Sequence, residues 1–333
     1  DHNIGRDDQR RTERRYNAVS EAPLISVVIS SYNRPEHLRV ALAALREQTL
    51  EPSSFEVVVV DNGSQASSTQ SVLADEQSRN ELRLRSIRHE QTRGPAGGRN
   101  SGWRLAIAPL IAFTDDDCAP DPKWLERHLE AASQNPGAIV QGRTEPVTER
   151  FGLLERSQAI RVLGPQYETC NIVYPRALLE RLQGFDETFG FVPAGEDTDL
   201  AWRAIERGVQ VAFAPDAVVF HAVHRLGVTG ALREAGRWTD APRLFRSHPG
   251  SRAILSRGVF WNGWHYLVFR SAVALMLPGP IRRFLLTRHM LQLAKRARDQ
   301  GAGAWAVPFL LACDVIEVAS VIRGGIRYRT FVL

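Results

Sequence analysis

The run Phe55-Glu56-Val57-Val58-Val59-Val60, closed by Asp61-Asn62-Gly63-Ser64, constrains the fold more than any other stretch of the chain. Consecutive β-branched residues without polar alternation make a strand buried on both faces, and such strands belong to parallel sheets between helices. The neighbouring segments agree. Ile25-Ser26-Val27-Val28-Ile29-Ser30 reads as a first strand, followed by Ser31-Tyr32-Asn33-Arg34 and by Pro35, whose fixed φ suits a first helical turn. Leu38, Leu42 and Leu45 recur at helical spacing through residues 36–48. Residues 82–88 alternate as a third strand, 97–107 read as a helix, and Leu110–Thr114 as a fourth strand running into Asp115-Asp116-Asp117. This alternation predicts an α/β fold with an open, mostly parallel sheet flanked by helices. Ligands of such sheets bind beyond the carboxyl ends of the strands. Residues 30–33, 61–64 and 115–117 all fall there, so one crevice should collect them.

Charge divides the chain. Residues 1–220 carry 25 Lys+Arg against 32 Asp+Glu, whereas residues 221–333 carry 17 against 5. The basic third points toward an anionic partner such as a membrane surface, a phosphorylated ligand or nucleic acid. No motif supports nucleic acid. Residues 1–22, with Arg10, Arg11, Arg14 and Arg15, read as a flexible basic arm, and a soft boundary falls near 226–240. Beyond it, 238–333 reads as a helical, basic extension. Its apolar stretches, 258–277 and 304–322, are interrupted by Arg270, Asp314 and Glu317, which suits lying on a bilayer better than crossing it. Trp261, Trp264, Tyr266 and Trp305 add aromatics of the kind found at headgroup depth. The competing reading is helices that pack on the α/β part or form a homo-oligomer interface. Three widely spaced cysteines suggest a reducing compartment without a disulfide framework or structural zinc. A cytoplasmic protein, peripheral on the inner face of the cell membrane or free of it, is the expectation.

Two acidic motifs carry chemistry. Asp115-Asp116-Asp117 follows the buried strand Ile111-Ala112-Phe113-Thr114, and three adjacent carboxylates there repel one another without a cation. Mg²⁺ and Mn²⁺ are held by one or two carboxylates plus substrate phosphates. The bland alternative is a solvated acidic turn. Glu196-Asp197 opens a helical pattern (Leu200, Ala201, Ile205), where acidic residues suit the dipole. Alone it reads as helix capping; with the triple Asp it supplies a carboxylate placed to receive a hydroxyl proton.

With these motifs in order, the chain resembles a family 2 glycosyltransferase of the GT-A fold over residues 23–225. The matching segments are 25–34, Val58-Val59-Val60-Asp61-Asn62-Gly63-Ser64, Gly97-Gly98-Arg99-Asn100-Ser101-Gly102, Phe113-Thr114-Asp115-Asp116-Asp117, Gly184-Phe185-Asp186-Glu187 and Gly195-Glu196-Asp197-Thr198-Asp199-Leu200. Each is weak alone; the ordered set is specific. The resemblance implies a catalytic domain at 23–237, with a nucleotide-binding half at 23–120 and an acceptor half at 121–237. It implies that Ser31, Tyr32, Arg34 and Asp61 hold the donor nucleotide, with Arg99 and Asn100 beside its phosphates and sugar. Asp115 and Asp116 belong to the same donor site, and Asp117 is the principal metal ligand, with Asp115 and His221 completing the set and His224 as second choice. Asp197, with Glu196, carries base catalysis. Asn171 faces the donor sugar or acceptor, or merely caps. The cofactor implied is Mg²⁺ or Mn²⁺, the donor a nucleotide-diphospho-sugar. The acceptor is a glycan, lipid-linked or small-molecule hydroxyl, in a setting such as cell-envelope polysaccharide synthesis.

Rival readings make different demands. A sugar-phosphate nucleotidyltransferase wants a Gly-rich loop directly after the first strand, where Ser30-Ser31-Tyr32-Asn33-Arg34 stands. A dinucleotide oxidoreductase wants G-x-G-x-x-G there, which Gly94, Gly97, Gly98 and Gly102 do not make. A catalytically silent binding module has no need of both Asp117 and Asp197.

Overall fold

The computed structural model describes residues 22–190 and 195–333. The arm expected over residues 1–22 lies outside the described residues except for its last position. Strand β1 (Ile25–Ser31) leads through helix α1 (Pro35–Arg46) to β2 (Phe55–Asp61), then α2 (Ser68–Arg79), β3 (Leu84–Arg88), α3 (Gly94–Leu105) and β4 (Leu110–Thr114). Every residue of β2 is buried, as its valine run requires. The order β3-β2-β1-β4 is parallel throughout, with Val28 opposite Val58 and Ser31 opposite Asp61.

Helix α3 begins at Gly94, three residues before the sequence expectation, because Pro95 fits its first turn. Its glycines have a packing reason. A Cβ on Gly102 would overlap the Val28 side chain, and one on Gly98 would overlap Ser30, so the helix lies close against β1. That approach brings Arg99 and Asn100 to the crevice end of the sheet.

The second half continues with β5 (Cys118–Pro120), α4 (Trp124–Gln134), β6 (Ile139–Pro146), β7 (Glu155–Arg156), β8 (Asn171–Pro175), α5 (Arg176–Leu182), α6 (Glu196–Ile205), β9 (Val211–His221) and β10 (His224–Arg225). The complete sheet has eight strands in the order β3-β2-β1-β4-β8-β6-β9-β5. Strand β8 runs antiparallel to β4 and β6, and β5 antiparallel to β9, so the parallel half meets a mixed half at β4. The acidic turn leaves the sheet at this seam.

From Val228 onward the structure is helical: α7 (Val228–Ala235), α8 (Pro242–Ser247), α9 (Gly263–Ala274), α10 (Gly279–Asp299) and α11 (Val307–Arg327). Among the described residues one helical stretch, Ala304–Arg327, is long and apolar enough to cross a membrane. Its acidic residues face partners in the helical layer: Arg296 donates to Asp314 at 2.8 Å and Asn262 to Glu317 at 3.0 Å. The extension also grips the α/β layer. His248 lies between Asp199 (3.0 Å) and Glu206 (2.9 Å), Arg243 pairs with Asp186, and Leu244 fills the space a Cβ on Gly195 would need, at a backbone φ of +111° that itself favours glycine.

Candidate active site

The three carboxylates after β4 meet three different environments. Asp116 is buried and accepts from the Ser31 hydroxyl at 2.7 Å. Burial and then the Asp117 charge push its carboxyl up to about 7, against the pull of Arg34 and Ser31. Asp117 accepts from Arg34 at 2.8 Å and lies 2.7 Å from His224 Nε2, both on Oδ2, while His221 Nε2 stands 3.6 Å from Oδ1. Burial alone would raise this carboxyl, but the hydrogen bond to His224 and the charges of His221 and Arg34 outweigh it and hold it below the usual range. Asp115, the most open of the three, accepts from Arg99 at 2.9 Å.

The group around Asp117 fits a divalent cation. His221 Nδ1 donates to the Ala222 carbonyl at 2.8 Å, with Ser157 Oγ at 3.1 Å. That leaves Nε2 as the ring nitrogen facing Asp117 Oδ1, with space between them that a cation could fill. Ligand atoms of Asp117, Cys118 and His221 all lie within 4.8 Å of one another. A cavity of about 220 Å³ lined by His37, Val40, Ala119 and Phe220 reaches Asp117, so the site is open to incoming groups.

The second acidic motif joins the first through Arg99. This buried guanidinium donates to Glu196 at 3.0 Å as well as to Asp115, bridging the turn after β4 and the first residue of α6. Asp197, next in the helix, is half-buried and accepts from the Thr198 amide at 2.8 Å. Burial, then the Glu196 charge, raises its carboxyl to about 7, with Arg99 opposing and Glu168 adding to the rise.

Asp61, the last residue of β2, is fully buried, accepting from the Ser64 amide at 3.0 Å and from Gln70 at 2.7 Å. Tyr32 follows the end of β1 and is 40% exposed, so its ring is open to a planar group. Asn100 and Asn171 turn inward. Asn100 donates to the Phe185 carbonyl and to Glu187 and accepts from Trp103 Nε1 and the Phe185 amide, so it ties α3 to the Gly184–Glu187 loop. Asn171, wholly buried, accepts from Trp124 Nε1 and pairs with His128 Nε2, both at 2.8 Å, and donates to the carbonyls of Arg143 and Ala217. Sequence reasoning missed Ser157, His37 and Glu168. None sits in a motif, and only the fold brings them to His221, His224 and Asp197.

The mixed eight-stranded sheet, with an acidic turn after β4 and a Glu-Asp helix start across the crevice, defines a GT-A type fold. A mannosyltransferase from Pyrobaculum calidifontis, solved in complex with GDP-Man and Mn²⁺, matches it with a TM-score of 0.62 at 18% identity, covering 90% of this chain and 88% of that one. TarS from S. aureus, in complex with UDP-GlcNAc, matches with a TM-score of 0.53 at 17% identity over 92% of each chain. Residues 26–191 match the model of glycosyl transferase family 2, and the chain belongs to that family. Validoxylamine A glucosyltransferase of Streptomyces hygroscopicus subsp. limoneus is 30% identical over 287 residues, 73% of this chain and 62% of that protein. The pre-mycofactocin glycosyltransferase of Mycobacterium tuberculosis is 30% identical over 247 residues, 69% of this chain and 49% of that protein. The chain therefore spans half to two thirds of these relatives.

Proposed function

We propose that this protein is an inverting glycosyltransferase, moving a sugar from a nucleotide-diphosphate donor to an acceptor hydroxyl in a metal-assisted single displacement. The observation that carries the reading is the Arg99 bridge, which sets the Asp115–Asp117 turn and the Glu196-Asp197 helix start around one crevice. Tyr32 offers a stacking face for the donor base, and Asp61 stiffens the loop beneath it. Arg34, half-exposed beside Asp116 and Asp117, is free to swing onto donor phosphate. A divalent cation held by Asp117 and His221, with Asp115 near, would neutralise the departing pyrophosphate. Asp197 takes the acceptor proton, and its raised carboxyl suits a base working near neutral pH. Glu196 positions Arg99. Direct attack from the side opposite the leaving group inverts the anomeric centre. Screening nucleotide-diphospho-sugars with Mn²⁺, following nucleoside diphosphate release and product anomer by NMR, tests the reading; a retained anomer refutes the single displacement.

The extension favours a lipid-linked or membrane-proximal acceptor, with the protein peripheral on an anionic membrane. Leu275, Met276, Phe284, Leu291, Trp305 and Ile326 are all more than 60% exposed. Its acidic residues are mostly engaged internally, Asp240 with Arg327 and Glu234 with Arg237 among them. Arg282, Arg283, Arg288 and Lys295, all on α10, are in no ion pair among the described residues. Exposed apolar residues beside unpaired cations suit an anionic headgroup layer; a second copy of the chain would meet the same cations in like-charge repulsion.

A further inference from the structure

We propose that His248, carrying both ring protons, is a positioning residue for turnover: it clamps helix α6, and with it Asp197, to the helical extension. The proposal rests on the reading of Asp197 as the base.

The chain around His248 crosses α6 as a strap. Its amide donates to the Leu244 carbonyl at 2.7 Å, and its own carbonyl accepts from the Ser251 amide at 2.9 Å. Leu244 lies over Gly195 at the start of α6, and a Cβ on Gly250 would overlap the Trp202 ring further along the helix. Between these contacts His248, almost fully buried, sets Nε2 3.0 Å from Asp199 Oδ1 and Nδ1 2.9 Å from Glu206 Oε2. A neutral imidazole has one N–H and would leave its other nitrogen facing a carboxylate oxygen lone pair to lone pair. The imidazolium donates to both.

The surrounding charges agree with that state. Burial alone would lower the ring's pKa, but the hydrogen bonds with Asp199 and Glu206, and their charges, outweigh it and hold it above the ordinary value. Arg203 takes the other Asp199 oxygen at 2.8 Å, while Arg246 and Arg252, on either side of His248 in the chain, donate to the carbonyls of Tyr328 and Phe331. Asp199 and Glu206 are about two helical turns apart, so one ring fixes both the direction and the rotation of α6. Asp197 belongs to the same first turn as Asp199. A rotation of α6 carries its carboxylate off the acceptor hydroxyl, and misplacement by about 1 Å costs up to about 10²-fold in rate. The proposed donor contacts, on β1, β2 and the turn after β4, stay where they are.

A double-mutant cycle on kcat tests the clamp. His248→Leu should lower kcat by about 10- to 100-fold with the donor KM nearly unchanged. In the Asp197→Asn background it should cost nothing further, whereas a merely structural role would cost as much again. Glu206→Gln, at the half-exposed end of the clamp, repeats the cycle in a variant that keeps the buried ring, with a smaller loss in the same pattern. ¹⁵N NMR of histidine-labelled protein should show His248 losing its second ring proton above the ordinary imidazole value of about 6.5, and at lower pH in Glu206→Gln. An equal kcat loss with and without Asp197, a wild-type kcat in both single variants, or a ring neutral at or below the ordinary value overturns the proposal and leaves the base reading standing. Full turnover in Asp197→Asn alone overturns both.

Discussion

The guanidinium of Arg99 donates to the carboxylate of Glu196 at 3.0 Å, across 97 positions of sequence. Its other nitrogen holds Asp115, so the two acidic motifs are spaced by a buried cation. Arg99→Leu should lower stability by about 3–5 kcal/mol in urea melts, because it strands buried carboxylate charge. Adding Glu196→Leu should restore much of that stability without restoring turnover. A single variant as stable as wild type would show that the bridge does not organise the crevice.

Asn171 makes four internal hydrogen bonds from the centre of the sheet, and a Cβ on Gly142 would collide with it. Asn171→Ala leaves several buried groups unpaired at about 1–3 kcal/mol each. The expected result is a large loss of stability with the donor KM of the surviving folded fraction little changed. A normal melt with a sharply raised KM would place this side chain on the substrate instead.

Asp197→Asn should keep donor binding while lowering kcat by about 10²–10⁴-fold. The wild-type pH profile carries the sign. A base must be deprotonated, and a carboxyl raised to about 7 is ionised above that value, so kcat/KM should be level above it and fall about tenfold per unit below. An acid limb near the ordinary carboxylate value would remove Asp197 from the role.

Vesicle flotation tests the basic extension. Attachment should need anionic lipid and weaken with salt, since each cation near such a surface contributes about 1 kcal/mol. Met276→Glu with Phe284→Glu, both on the exposed apolar face, should abolish it. Equal recovery with neutral and anionic vesicles at low salt would favour an interface between copies.

The sheet's parallel half was legible because Val57–Val60 and Val27–Ile29 admit no other burial, and Leu110–Thr114 came out with the bounds expected. The mixed half was not, since β8 and β6 combine burial with polar knots such as Asn171 and Gln141 that break any simple period. The acidic motifs and Arg99 could be read because charge at strand ends and helix starts has few explanations. Their bridging could not, as it depends on α3 closing onto β1 through Gly98 and Gly102. His224 carried a weaker signal than His221 because it lies beyond the strand. Its place over Asp117 follows from β10 pairing with β7, a contact that two-residue strands do not announce.

The most direct measurement is nucleoside diphosphate release from a matched donor and acceptor, followed before and after chelation and again after Mn²⁺ is returned, with Asp117→Ala in parallel. The account predicts turnover in the wild type, its loss in chelator, its return with Mn²⁺, and none from a folded Asp117→Ala. Undiminished release in excess chelator, or from Asp117→Ala, would contradict it.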